Sequence, residues 1–89
     1  MMKRVKVFHS ENCPFCKKLT EGLDKLKITF EEIDVDSKDG EKEFLKLYKF
    51  TKSENIPIVI VDNQVLIPQI SFNTIEEALI SINKLYLIS

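Results

Sequence analysis

The tetrapeptide Cys13-Pro14-Phe15-Cys16 constrains this chain more than any other feature, because it sets both cysteines where a strand gives way to a helix. Ahead of it, Val5, Val7 and Phe8 mark a short strand, and His9-Ser10-Glu11-Asn12 breaks the pattern as a loop. A helix opens at Pro14, since the N–H that proline lacks would be unpaired in a first turn anyway. Cys16, Leu19, Leu23 and Leu26 recur at i, i+3, i+7 and i+10, which draws one apolar stripe with Phe15 at its edge. Gly22 weakens this helix slightly without breaking it.

The remaining pattern supplies the rest of a sheet. Residues 28–35, Ile-Thr-Phe-Glu-Glu-Ile-Asp-Val, read as a second strand with Phe30 and Ile33 apolar, and residues 36–40 read as a loop. Phe44, Leu45, Leu47 and Tyr48 line the packing face of a second helix that ends near Thr51. The β-branched run of residues 57–61 is a buried strand. Asp62-Asn63 is a two-residue hairpin turn, and residues 64–67 return as its partner. Thr74-Ile75-Glu76-Glu77 is a capping box, followed by the stripe Ile75, Ala78, Leu79, Ile82, Leu85 of a third helix. The order is β-α-β-α-β-β-α. A right-handed crossover makes the first two strands parallel, and the hairpin makes the last two antiparallel. The expected fold is α/β, one mixed four-stranded sheet flanked by three helices.

Eighty-nine residues are expected to form a single domain, residues 1–89, that buries about 60–65% of its unfolded surface. A chain 44% hydrophobic and 30% charged is too apolar for disorder. A net charge of −1, with Lys and Glu scattered as solvated helix surface, argues against nucleic acid or an anionic membrane as partner. No apolar run approaches the roughly 18–20 residues of a membrane span. The N-terminal residues Met1 to Phe8 are basic and then apolar, but Lys6 interrupts them and no small-residue cleavage site follows, so a signal peptide is not expected. A reducing cytoplasm is the expected location, and there two cysteines read as metal ligands or redox chemistry rather than a structural staple.

The redox reading follows from position. At the N-cap or first turn, Cys13 meets unpaired N–H groups and the positive end of the helix dipole, which stabilise a thiolate. Lys17, Lys18 and His9 add positive charge nearby, and Glu11 opposes them. The Cys13 thiol is thus expected below the free value of about 8.5, within the range of about 3.5–7.5 found in such settings. Cys16 lies on the core-facing stripe, so Cys13 would attack a disulfide and Cys16 would resolve the mixed disulfide. A zinc site normally needs four ligands, and the chain offers one cysteine pair and one histidine. Only a metal shared across a dimer would satisfy it, so no metal site is assigned. His9 reads as a loop residue near the site whose charge could modulate Cys13 near neutral pH.

On Cys13-Pro14-Phe15-Cys16 after a strand, Phe30-Glu31-Glu32-Ile33-Asp34-Val35-Asp36 and Asn55-Ile56-Pro57, the chain resembles the glutaredoxin branch of the thioredoxin superfamily. The resemblance covers most of the chain in length and element order, and it implies the thioredoxin fold. It further implies that Pro57 is cis and faces the cysteines, and that the Ile56 backbone pairs with an extended sulfur-bearing substrate as an added strand would. Phe15, Ile56 and Pro57 then bind substrate, and Pro14 and Lys17 modulate the cysteines. No bound cofactor is implied, and a monomer is expected.

Two family positions depart from the pattern. Members that use glutathione carry Gly-Gly after the last strand, where this chain has Ile67-Pro68. A lysine three residues before the first cysteine pairs with a glutathione carboxylate in such members, and here that residue is Ser10. Ser71, Asn73 and Thr74, near the start of the third helix, are candidates to receive a carboxylate instead. Two electron donors are therefore implied. One is glutathione as co-substrate; the other is a flavoprotein thioredoxin reductase, as for a glutaredoxin-like thioredoxin serving protein disulfides such as those of ribonucleotide reductase. The rival readings are an adaptor that binds partners without turnover and a dimer bridged by a metal or iron–sulfur cluster, against which Pro14 argues by the same resemblance.

Overall fold

Alternation along the first strand, β1 (Val5–His9), decides how the layers stack. Val5 and Val7 enter one apolar cluster, whereas Phe8 enters another on the opposite face of the sheet. The computed structural model describes residues 4–88; Met1, Met2 and Lys3, part of the stretch weighed as a signal peptide, lie outside the described residues. After β1 come α1 (Pro14–Lys25), β2 (Glu31–Asp34), α2 (Lys38–Thr51), β3 (Ile58–Val61), β4 (Gln64–Leu66) and α3 (Ile75–Ile88). The strands lie in the order β2-β1-β3-β4, with β1 parallel to β2 and antiparallel to β3, and β3 antiparallel to β4. This is the mixed sheet and three-helix arrangement of the thioredoxin fold.

One face buries Val5, Val7, Val59 and Val61 beneath Leu19 and Leu23 of α1 and Ile75, Ala78 and Ile82 of α3. Each of the Val, Leu and Ile side chains contributes about 1.5–3 kcal/mol by leaving water. The other face packs Phe8, Ile33 and Ile58 against Phe44 and Leu47 of α2, with the Phe8 and Phe44 rings 6.3 Å apart. Gly22 has a use at the α1–α3 contact, because a Cβ there would stand 2.5 Å from Leu79 Cδ1. The Thr74 hydroxyl accepts the Glu77 N–H at 3.1 Å, one half of the expected capping box. No helix among the described residues is long and apolar enough to cross a membrane.

Several boundaries differ from the sequence reading, each for a local reason. His9 belongs to β1 rather than to the following loop: it pairs with Asp34 across the ladder, and its carbonyl accepts the Val35 N–H at 2.9 Å. The second strand begins at Glu31, not Ile28. Residues 26–28 instead close α1, with Lys27 in the left-handed region (φ 59°) and its N–H donating to the Asp24 carbonyl at 3.0 Å. The Ile28 N–H donates to the Leu23 carbonyl at 3.0 Å, and both side chains are buried together, which is the Schellman end of a helix. Leu26 caps the helix and is exposed, so the apolar stripe ends at Leu23.

Lys38, Asp39 and Gly40 form the first turn of α2 rather than a loop. Ser37 is its N-cap, accepting the Gly40 N–H at 3.0 Å and donating its hydroxyl to the Asp34 carbonyl at 2.7 Å. Leu45 is exposed and takes no part in the packing face of α2. At the hairpin, Asp62 takes the positive φ of 54°, and its carboxylate accepts two bonds from Arg4 at 3.2 and 3.3 Å.

Candidate active site

Residue type and helix geometry together build the cysteine site. Cys13 is the N-cap of α1 with extended backbone (φ −108°, ψ 100°), and Pro14 occupies the first helical position. The Cys13 N–H donates to the Ser10 carbonyl at 3.1 Å, while Cys13 Sγ accepts the Cys16 N–H at 3.1 Å. A sulfur thus stands where a cap oxygen usually does, taking one of the unpaired N–H groups of the helix start. The two sulfurs are bonded as a disulfide, with the Cα atoms 5.2 Å apart. Cys13 is half-buried, whereas Cys16 is only 2% exposed on the stripe shared with Leu19 and Leu23.

The Ile56–Pro57 peptide is cis. Its chain passes close to the cysteines, and the Ile56 carbonyl oxygen lies 4.0 Å from Cys13 Sγ. A cleft of 290 Å³ opens on this side, with Phe15, Ile56, Pro57, Phe72, Asn73 and Thr74 in its walls. Phe15 projects from the helix start with 63% of its surface exposed. The structure therefore brings Phe15, Ile56 and Pro57 together, whereas Pro14 and Lys17 are exposed on the helix and do not line this cleft. Of the three carboxylate-receiving candidates, Asn73 and Thr74 line this cleft. The Thr74 hydroxyl already caps α3, and the Ser71 hydroxyl holds its own loop by accepting the Ile67 N–H at 3.0 Å.

A second cleft of 230 Å³ lies on the other side of the disulfide, lined by both cysteines, His9, Lys17, Thr20 and Glu32. Two of the charged groups near the cysteines are paired. His9 Nε2 lies 3.2 Å from Glu32 Oε2, and Lys18 Nζ meets Glu76 Oε1 of α3 at 2.8 Å. That hydrogen bond from the ammonium is the main reason the Glu76 carboxyl is held below its ordinary value of 4.5. Lys18 is therefore turned to α3, leaving Lys17 as the lysine on the cysteine cleft. Ser10, where the resemblance implied a lysine in other members, donates its hydroxyl to Asp36 Oδ2 at 2.7 Å.

Glu32 was not singled out from the sequence. Its signal was alternation: Glu32 and Asp34 flank the core residue Ile33 of β2, so they face the side of the sheet that carries α1. Among the described residues, no group of three or more His, Cys, Asp or Glu side chains is placed to hold a metal ion.

A glutaredoxin family model matches residues 5–66. An uncharacterized glutaredoxin-like 8.6 kDa protein in the rubredoxin operon of Clostridium pasteurianum is 29% identical over 63 residues, which is 71% of this chain and 81% of that protein. The crystal structure of wheat glutaredoxin superposes with a TM-score of 0.63 at 27% identity, covering 70% of this chain but only 58% of the wheat chain. The buckwheat glutaredoxin–glutathione complex shares the fold over 97% of this chain and 74% of its own, with a TM-score of 0.70 at 16% identity.

Proposed function

The chain belongs to the glutaredoxin family, and from that premise we propose that it exchanges its Cys13–Cys16 dithiol with the disulfides of proteins or with their mixed disulfides with glutathione. The family and the Cys-x-x-Cys pair support thiol–disulfide oxidoreduction in general. The observation that carries the assignment of roles is the unequal exposure of two bonded sulfurs: Cys13 at the accessible helix N-cap, Cys16 beneath it in the core. Cys13 is the attacking sulfur and Cys16 the resolving one. Phe15, Ile56 and Pro57 bound the cleft that receives the substrate sulfur, and a segment lying along Ile56 gains backbone hydrogen bonds. Pro14 starts the helix and Lys17 adds positive charge at its exposed side. The protein works in a reducing compartment such as the cytoplasm, as a monomer.

Glutathione as the electron donor is supported by the glutathione complex of the buckwheat neighbour. One observation favours the second donor, a flavoprotein thioredoxin reductase. Ser10 and the Asp36 carboxylate stand where a lysine would pair with the tripeptide, so an anion meets a hydroxyl and a second anion there. A paired assay separates the donors: turnover of a model disulfide driven by glutathione with glutathione reductase, against turnover driven by thioredoxin reductase. Activity in neither system, and none with dithiothreitol, refutes the exchange reading in favour of an adaptor. Cys13→Ser should abolish exchange, whereas Cys16→Ser should trap a mixed disulfide on Cys13. A visible cluster absorbance or bound metal in purified dimers would instead favour the bridged reading.

A further inference from the structure

We propose that His9, held by Glu32, accepts the proton of Cys16 in the resolving half of the exchange. The inference rests on the dithiol reading above and adds a base to it. Period-two alternation puts Val5, Val7 and His9 on the same face of β1. Helix α1 returns antiparallel to β1 in the crossover, and its Leu23 and Leu19 share one cluster with Val5 and Val7. One turn nearer the helix start, the same stripe brings Cys16 to the level of His9, and both line the 230 Å³ cleft.

The pair is built as an oriented base. The His9 side chain is 19% exposed, and its Nε2 faces the Glu32 carboxylate at 3.2 Å. An N–H donated there leaves Nδ1 as the ring's proton acceptor. The other charged or titratable groups around the ring are Asp34 from β2, Glu11 from the loop, and Cys13, Cys16 and Lys17 from the α1 side. Asp34 is its ladder partner and accepts the Asp36 N–H at 2.9 Å; β3 contributes only Ile58, Val59, Ile60 and Val61. Carboxylates are weak bases and lysine is already protonated, so the imidazole is the group suited to accept a thiol proton near neutral pH. The cleft has room for a bridging water, with the Thr20 hydroxyl as a further polar partner.

The step balances as follows. With substrate sulfur bonded to Cys13 Sγ, the Cys16 S–H proton passes to His9 directly or through one water. The Cys16 sulfur pair forms the bond to Cys13 Sγ, and the bond from Cys13 to the substrate sulfur breaks. That sulfur leaves as a thiolate and takes the proton from the imidazolium. The cysteine pair is oxidised by two electrons and the substrate disulfide is reduced by two. A free thiol with a value of about 8.5 is only a few per cent thiolate at pH 7, so the base is worth at most roughly 30-fold there.

The test uses the reduced protein and a symmetrical aromatic disulfide whose halves absorb as free thiolates. The first burst reports attack by Cys13, and the second, absent in Cys16→Ser, reports resolution. His9→Gln keeps a donor toward Glu32 but has no basic nitrogen. It should leave the first burst unchanged and slow the second by about 10-fold at pH 7, a deficit that closes as pH rises toward the free-thiol value of about 8.5. In His9→Ala, added imidazole should restore the second burst. An unchanged second burst, equal slowing of both bursts, or no recovery with imidazole overturns the role of His9. No first burst in the wild type overturns the dithiol reading itself.

Discussion

Replacing Gly40 with alanine sets two effects of opposite sign against each other. Gly40 lies in the first turn of α2 and its φ is not positive, so no unusual backbone conformation requires glycine. Helix propensity alone favours alanine by about 0.8–1.0 kcal/mol. Space forbids it: a Cβ there would overlap the Asp34 carbonyl oxygen and stand 2.6 Å from its carbon and 2.7 Å from Ser37 Oγ. The first two atoms are backbone, and the third belongs to the N-cap that ties α2 to the end of β2. Relief requires moving helix from strand, an overpacking cost of about 1–3 kcal/mol. Losing the Ser37 cap adds about 1 kcal/mol. The net expectation is a loss of about 2 kcal/mol, which lowers Tm by about 8–16 °C for a domain of this size. Urea unfolding checks it, read as a lower midpoint at constant slope. Gly22→Ala is the control, since its new methyl meets the rotatable end of Leu79 and should change stability by under about 1 kcal/mol. If Gly40→Ala were as stable as the wild type or more so, the turn between β2 and α2 would yield freely and propensity would decide.

Two other perturbations test the helix ends and the α1–α3 joint. Lys27 holds a left-handed φ of 59° at the end of α1, so Lys27→Gly should raise stability by about 0.5–1 kcal/mol in urea unfolding; a loss would refute strain at this residue. Lys18 holds the Glu76 carboxyl below 4.5, so the pair stabilises the fold above that unfolded value and loses its effect as pH falls through the lower folded value. Lys18→Gln should return the Glu76 titration toward 4.5 by NMR. Its stability difference from the wild type should vanish in acid and shrink in high salt, and a difference that persists in acid would refute the pairing.

What the sequence made legible was whatever a binary pattern encodes. The β-branched run of residues 57–61, the α1 stripe and the Thr74 cap are local signals that the fold uses, with Pro57 just outside β3 and Leu26 exposed at the end of the stripe. Element ends were less legible, because the signals that mark them were missing or inverted. Lys27, at the end of α1, holds φ of 59° where glycine is usual, and lysine otherwise reads as helix interior. Ile28 looks like the start of a strand because it is apolar, yet it is buried as the residue that closes α1 over Leu23. Gly40 looks like a loop residue because glycine usually is, yet it is helical because α2 starts against the Asp34 carbonyl. The second error comes from a close approach between elements, which is a tertiary fact; the first comes from a local helix end that no glycine marks.

The same distinction decides the charge at the cysteines. Read along the chain, Lys17, Lys18 and His9 all add positive charge near Cys13. In space, Lys18 is taken by Glu76 of α3 and His9 by Glu32 of β2, partners that no spacing rule connects to the motif. The stabilising group at Cys13 Sγ is the backbone N–H of Cys16, at 3.1 Å, with the dipole of α1 behind it. A backbone donor exists for any residue type in the helix, so this hydrogen bond at Cys13 Sγ comes from the helix start and not from a side chain. The two side-chain pairs are thereby freed for other work. One joins α1 to α3, and the other sets a basic nitrogen on the cleft that both cysteines share.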